Sequence, residues 1–497
     1  MRLGELLVGW GLATPADVAT ALERQAVQGG RLGEILVAVG ILTQEQLASV
    51  INATPTAPTD VADTGILPRN LLNLMLKLMY VESLGTLVEL SQRMKLPRRI
   101  IEALLADATQ QRFVMAMGQA GENALSMRYA LGEQGKAAAR EALEQNLYLG
   151  PAPVSLAAFR EQILRQRVSN ETLSEDVLRA GFAGLVVPDH YFDKLLPAIN
   201  AGRTVLLFGP PGNGKTTLSG RIANVFRDVV YVPYAFDVDG QIIKVYDEGL
   251  HKPAAEADAI PPTTASAFAE REHFDERWVP CKRPVAVAGG EMTLDMLDLR
   301  HNPNTKFYDA PLHVKALNGM LLIDDFGRQK FQPSELLNRW IVPMENQVDY
   351  LKLDTGASFQ LPFDELVIFS TNLDPSDLMD AAFLRRIPYK IKLFSPTRGE
   401  YWQIFEAVCR GYGLTLTEPV FDVVVERLEK RFGLAYYQPK FICQQVAEWC
   451  RSFGRPLTLT REGALAALAN LYYDIEEDRE AEIAAEIVQP RSEVAAD

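Results

Sequence analysis

The stretch Gly209-Pro210-Pro211-Gly212-Asn213-Gly214-Lys215-Thr216 matches the pattern G-x-x-x-x-G-K-[ST] in full. The apolar run Thr204-Val205-Leu206-Leu207-Phe208 precedes it, and Thr217-Leu218-Ser219-Gly220-Arg221-Ile222, compatible with a helix, follows it. Strand, glycine-rich turn and helix start, in that order, build an anion cradle. Backbone N–H groups and the positive end of the helix dipole converge there on phosphate. In such a cradle Lys215 reaches the outer phosphates of a nucleotide and the Thr216 hydroxyl ligates Mg²⁺, while Gly209, Pro210, Pro211, Gly212, Asn213, Gly214 and Thr217 wrap the phosphate chain.

Downstream, Met320-Leu321-Leu322-Ile323-Asp324-Asp325 is an apolar strand ending in two acids. It lies about 110 residues beyond the cradle, where Asp324 suits the Mg²⁺ shell and Asp325 suits polarisation of an attacking water. Leu366-Val367-Ile368-Phe369-Ser370-Thr371-Asn372 reads as another buried strand, ending in an amide that can orient lytic water. Asp380-Ala381-Ala382-Phe383-Leu384-Arg385-Arg386-Ile387 places two arginines after an apolar helical turn. They suit insertion into a neighbouring subunit's site, or else a solvated helix end. Val229-Val230-Tyr231-Val232-Pro233-Tyr234 reads as the next buried strand after the cradle. Residues 236–315 resolve into no clear pattern, although they contain Asp237-Val238-Asp239-Gly240-Gln241 and Gly289-Gly290-Glu291-Met292.

These four elements, in this order and spacing, resemble the AAA+ ATPases over residues 155–475, with the MoxR-like bacterial type closest in flavour. The resemblance implies an α/β P-loop NTPase core over 155–396 and a helical lid over 397–475. It also implies ATP and Mg²⁺ as cofactors, Asn372 as sensor 1, and Arg385 and Arg386 as fingers acting in trans within a ring, a hexamer in this family. Within the lid, Tyr437-Gln438-Pro439-Lys440-Phe441 looks like the sensor-2 position. Asp325 stands where the family has glutamate and Lys440 where it has arginine; a lysine lacks the bidentate fork of arginine.

The N-terminus carries a repeat. Arg2-Leu3-Gly4-Glu5-Leu6-Leu7-Val8 returns 29 residues later as Arg31-Leu32-Gly33-Glu34-Ile35-Leu36-Val37. Gly11/Gly40, Thr14/Thr43 and Val18/Leu47 keep the register. Each copy reads as a short helix, a glycine break, a threonine N-cap and an amphipathic helix. Asp17 and Gln46 stand at capping-box spacing from their threonines. Residues 1–54 thus form a small all-α module that resembles the N-terminal domain of type II secretion and type IV pilus ATPases. That resemblance implies cyclic di-GMP binding by Arg2, Leu3, Gly4 and Gln25, and by Arg31, Leu32 and Gly33; Thr54 replaces the second glutamine. The alternative, that Arg-Leu-Gly only closes hairpin packing in a protein-docking module, stays open.

Residues 55–68, rich in Thr, Pro, Ala and Asp, read as a flexible linker. Residues 69–148 read as three helices and a two-stranded wing, and look like a winged helix. Arg93, Lys95, Arg98 and Arg99 crowd the start of the third helix, and residues 69–146 carry ten Lys/Arg against eight Asp/Glu. DNA and protein are both open as partners of this domain. Gly150-Pro151-Ala152-Pro153 reads as a domain boundary, and residues 476–497 as an acidic solvated tail.

The chain has 497 residues and a net charge of −14, which argues against coating nucleic acid along its whole surface. No apolar run approaches the roughly 18 residues that span a bilayer. Cys281, Cys409, Cys443 and Cys450 lack metal-ligand spacing, and buried thiols in a cytoplasmic protein are the expectation. The expected function is an ATP-hydrolysing protein that remodels a protein partner, in a secretion or pilus system and under cyclic di-GMP control. The alternative is a nucleotide-gated DNA-binding regulator. A secretion motor is disfavoured, because the paired cysteines common in that family are missing.

Overall fold

The continuous apolar runs flanking the cradle form the centre of a computed structural model, which describes residues 4, 7–8, 12–28, 32–44, 46–47, 53–119, 127–170, 172–226, 228–254 and 274–472. Five parallel strands make the core sheet: β1 (Val205–Phe208), β2 (Val285–Ala288), β3 (Met320–Ile323), β4 (Leu366–Thr371) and β5 (Tyr389–Lys392). Their order is β5-β1-β4-β3-β2. β3 and β4 are buried along their whole length because both faces are covered, which is why they read as unbroken hydrophobic runs. Val205, Leu207, Leu322 and Ile368 pack on one side with Leu195 and Ile199 of the helix Asp189–Asn200 and with Ile222. Leu206, Leu321, Val367 and Phe369 pack on the other with Trp340 of the helix Pro333–Asn346. This is an α/β core with a parallel sheet between helical layers, as a P-loop NTPase requires.

Val229–Pro233 is a buried strand, but it lies outside the core sheet. It pairs antiparallel with Trp278–Lys282, and the place beside β3 belongs to β2. An apolar run signals burial on both faces and does not choose its neighbour. The unresolved stretch holds a second sheet in which Ala235–Val238 and Gln241–Lys244 form a hairpin across Asp239 and Gly240, both at positive φ (53° and 84°). Asp-Gly between alternating apolar residues is a strong two-residue hairpin signal, and the sequence reading passed over it. Phe307–Asp309 and Arg300–Asn302 extend that sheet, and Val154–Ser155 closes its other edge.

Two expected breaks in the chain are joints instead. The boundary at residues 150–153 runs directly into the edge strand Val154–Ser155. The linker at 55–68 is also anchored: Asp275 N donates to Pro55 O at 3.0 Å, and Gln162 Nε2 to Ala53 O at 2.6 Å. The buried Arg277 guanidinium reaches both Thr64 O and Pro153 O. Composition predicted no periodicity here, correctly, but partners far along the chain satisfy the backbone carbonyls.

Across residues 69–148 lie the helices Pro68–Val81, Leu87–Met94 and Arg98–Gln110 and an antiparallel pair Val114–Gln119/Met127–Leu131. A further helix, Glu133–Gln145, follows. In the N-terminal module both expected capping pairs form. Thr14 N donates to Asp17 Oδ2 at 2.8 Å and Asp17 N to Thr14 Oγ1 at 3.2 Å; Thr43 and Gln46 repeat this at 2.8 and 3.1 Å. Four helices, Arg398–Tyr412, Glu418–Arg431, Gln438–Ser452 and Arg461–Leu471, enclose their own core around Phe405, Val424 and Ile442. Among the described residues no helix is long and apolar enough to cross a membrane. The acidic tail lies outside the described residues.

Candidate nucleotide site

In the order β5-β1-β4-β3-β2, the C-terminal ends of β1, β4 and β3 fall side by side, the usual place for ligands in an open α/β sheet. The cradle leaves β1. Gly209 (φ 144°) passes so close to β5 that a Cβ there would lie 2.2 Å from Leu393 O, so only glycine fits. Gly214 (φ 77°) turns the chain into the helix Lys215–Ile222. The Lys215 ammonium is buried and donates to Gly209 O and Pro210 O, both at 2.9 Å. Burial lowers its pKa, and the carboxylates of Asp324 and Asp325 pull the other way.

Thr216 Oγ1 donates to Asp324 Oδ2 at 2.8 Å, so the two expected Mg²⁺ ligands meet. Asp325 stands at φ 49°, rare for a residue with a Cβ, and its Oδ1 accepts from Asn372 Nδ2 at 3.2 Å. Sequence reasoning missed the brace of this turn, Gln329. Its Nε2 donates to Asp324 O at 2.9 Å while its Oε1 accepts from Gly327 N at 2.8 Å. The ends of β3 and β4 are locked by Thr371 Oγ1 donating to Phe326 O at 2.8 Å.

These groups line one cavity of about 640 Å³ between the core sheet and the four-helix subdomain. Pro211, Gly212, Asn213, Gly214, Lys215, Thr216, Thr217, Asp324, Asp325, Asn372 and Lys440 all border it. The apolar wall went unread in the sequence: Val186, Val187, Tyr191, Phe394, Ile404 and Val408. The run Gly184-Leu185-Val186-Val187-Pro188 between two helices was its available signal. A bound nucleotide and its Mg²⁺ fit this donor set on one further observation. Asn213 is buried, and neither its Nδ2 nor its Oδ1 has a partner among the described residues, a costly arrangement unless a ligand supplies one. Lys440, in the first turn of Gln438–Ser452, is exposed and has no ion-pair partner among the described residues.

Arg385 and Arg386 do not border this cavity. Arg386 Nε donates to Glu345 Oε1 at 2.6 Å and its Nη1 to Ala382 O at 2.9 Å. Arg385 is exposed and without a partner among the described residues.

The other expected sites look different. Arg2, Leu3 and Arg31 lie outside the described residues. Gly4 and Gly33 are buried, and Leu32 and Gln25 are half-buried. A Cβ on Gly4 would lie 2.5 Å from Val18 Cγ1 and 3.5 Å from Leu32 Cδ2, so close helix packing accounts for glycine at position 4. In the basic cluster, Arg93 forms a bidentate pair with Glu82, Lys95 lies 3.9 Å from Glu276, and Arg99 Nη2 donates to Pro58 O at 3.0 Å. Three of the four cations that the DNA alternative would use are therefore engaged within the molecule.

Residues 397–470, the four-helix subdomain, match a family described as a domain of unknown function (DUF8689). No curated protein matches the chain. Among solved structures, NtrX from Brucella abortus is similar at 12% identity over 73% of this chain, with a TM-score of 0.34; the chain spans 60% of that protein's length. The Thermotoga maritima RuvB Holliday junction branch migration motor is similar at 16% identity over 60% of this chain and 75% of that one, with a TM-score of 0.33.

Proposed function

We propose that this protein is a AAA+ ATPase that hydrolyses ATP within a ring, a hexamer in this reading, and uses the cycle to remodel a protein partner. The observation that carries this reading is the convergence of Lys215, Thr216, Asp324, Asp325 and Asn372 on one cavity. Lys215 neutralises charge on the outer phosphates, and Asp325, held by Asn372, orients and polarises the attacking water. Mg²⁺, held by Thr216 and Asp324, supplies charge neutralisation at the phosphate oxygens. Lys440 brings a cation from the lid.

Among the described residues no arginine borders the cavity, and Arg385 stands exposed elsewhere on the surface. This favours Arg385 over the ion-paired Arg386 as the finger given to a neighbour. The repeat supports a receiving role for the N-terminal module. The buried Gly4 and Gly33 favour protein docking there, on a secretion or pilus component, over capture of cyclic di-GMP.

The test is complementation. Lys215→Ala and Arg385→Ala should each be inactive alone, and mixing them should restore turnover at sites that pair an intact Lys215 with a neighbour's Arg385. Absence of recovery in co-assembled rings would sink the trans reading.

A further inference from the structure

The two acids beside the cavity sit on a turn with one residue in an uncommon conformation. Asp325 stands at φ 49°, in the left-handed region that Asp and Asn enter more readily than longer side chains do. The residues on either side of it are pinned to the core sheet. Asp324 N donates to Ala288 O at the end of β2 at 2.8 Å, and Phe326 N donates to Ser370 O of β4 at 2.7 Å. Thr371 Oγ1 donates to Phe326 O at 2.8 Å.

Between these anchors the carbonyls of Asp324 and Asp325 are met by a side chain. Gln329 Nε2 donates to Asp324 O at 2.9 Å and to Asp325 O at 3.3 Å, and its Oε1 accepts from Gly327 N at 2.8 Å. Arg328 N closes the turn on Asp325 O at 3.0 Å. The Gln329 amide has one workable orientation. Reversed, it would set its oxygen against two carbonyl oxygens and its NH₂ against an N–H. One amide thus bonds to three consecutive peptide units, including both of those whose rotation defines φ and ψ of Asp325. Gln329 does not border the cavity, so it reaches the site only through this turn.

A residue with a Cβ keeps a left-handed φ only where its surroundings over-determine it. The same φ and ψ set the direction of the Asp325 Cα–Cβ bond. Here that direction brings Oδ1 to Asn372 Nδ2 at 3.2 Å, with both residues on the cavity. Freed of the amide, the turn gains access to the common negative-φ conformations, which aim the side chain elsewhere. We infer that Gln329 is a positioning residue for ATP hydrolysis: by donating to the Asp324 and Asp325 carbonyls it holds Asp325 in the conformation that presents its carboxylate to the attacking water. This rests on the ATPase reading above and extends it to a residue outside the cavity. Nucleotide binding does not depend on the brace, because Asp324 keeps its bonds to Ala288 and Thr216, and Lys215 keeps its own to the loop.

The experiment compares the full chain with Gln329→Met, which keeps the length and removes every hydrogen bond, and Gln329→Glu, which keeps only the acceptor for Gly327 N. Turnover at saturating ATP should fall about tenfold in both, the scale of a lost conformational bias in the reactive arrangement. Equilibrium ATP affinity should stay within about twofold and the melting temperature near wild type, the split expected when an interaction serves only the chemical step. In the nucleotide-free protein, amide exchange should quicken at Gly327 in Gln329→Met and stay slow at Phe326, whose N–H donates to Ser370 O. If the methionine variant does not fold, the glutamate variant carries the kinetic test. Wild-type turnover in either variant overturns the inference, and so does a loss of ATP affinity equal to the loss of turnover, which would mark a scaffold role. Unchanged exchange at Gly327 overturns it as well. A wild-type chain that hydrolyses no ATP would instead overturn the ATPase reading, and the exchange comparison would still report on the brace.

Discussion

The two ends of strand β4 place polar residues in opposite circumstances. At its C-terminal end, Asn372 joins a cavity whose other groups (Lys215, Asn213 and Lys440) have donors to spare. At its N-terminal end stand two acids, Asp364, half-buried, and Glu365, buried. Asp364 accepts from Val168 N at 3.0 Å and Asn318 Nδ2 at 2.7 Å. Nearby Asp349 takes His313 Nε2 at 2.8 Å and Arg339 Nη1 at 2.6 Å. Glu365 is buried, and neither of its oxygens has a partner among the described residues. Burial, together with the carboxylates of Asp364 and Asp349, raises its pKa well above the ordinary glutamate value. Unspent donors border the cavity at one end. At the other, Asp364 and Asp349 spend their oxygens within the fold, and burial disfavours the charged form of Glu365.

That contrast can be broken most sharply at Lys215. Lys215→Ala should abolish ATP binding in a titration while leaving the melting temperature near wild type, because the ammonium serves only loop carbonyls. An unfolded variant would mean the lysine belongs to the scaffold. At the other end the effects exchange places. Asp349→Asn should cost about 3 kcal/mol in chemical denaturation, since it strands a buried guanidinium and imidazole. ATP affinity of the folded fraction should hold.

The acid limb of stability gives a smaller signal. Burial alone would raise the Asp349 pKa, but the hydrogen bonds and charges of His313 and Arg339 outweigh it and hold the group at about 2. A carboxylate depressed in the fold stabilises above its unfolded pKa and loses that contribution as pH falls through the folded one. About 2 kcal/mol should therefore fade between pH 4 and pH 2 in the wild type and be absent from Asp349→Asn.

Glu365 has the opposite sign. Its raised pKa gives stability that is full below the ordinary glutamate range and declines as pH rises. Glu365→Gln should match wild type near pH 4 in thermal melts and pull ahead at higher pH. Parallel curves would show that the carboxyl has a partner after all.

Much of the site was legible because its chemistry is local. The cradle needs glycines at fixed offsets, Lys215 and Thr216 follow on the same turn, and Asp324 and Asn372 terminate apolar runs that could only be buried strands. The capping pairs at Thr14 and Thr43 were legible for the same reason, with partners three residues apart. Other features depend on residues far apart in sequence. The edge place of β2 beside β3, the anchoring of residues 55–68 by Asp275 and Arg277, and the Gly212–Tyr437–Tyr472 contact join segments tens to hundreds of positions apart. Apolar pattern states that a segment is buried and is silent on the neighbour that buries it.

For this protein the sequence alone determined the glycine turn after β1, the acids and amide that end β3 and β4 beside the same cavity, and the two threonine caps near the N-terminus. Each of these is written in spacing over a few residues. Tertiary structure alone decided that Arg386 is held by Glu345 while Arg385 has no partner among the described residues, that the basic cluster is largely engaged internally, and that Tyr437 rests on Gly212. Whether a side chain is spent or available depends on who stands beside it, and that is settled only when distant segments pack.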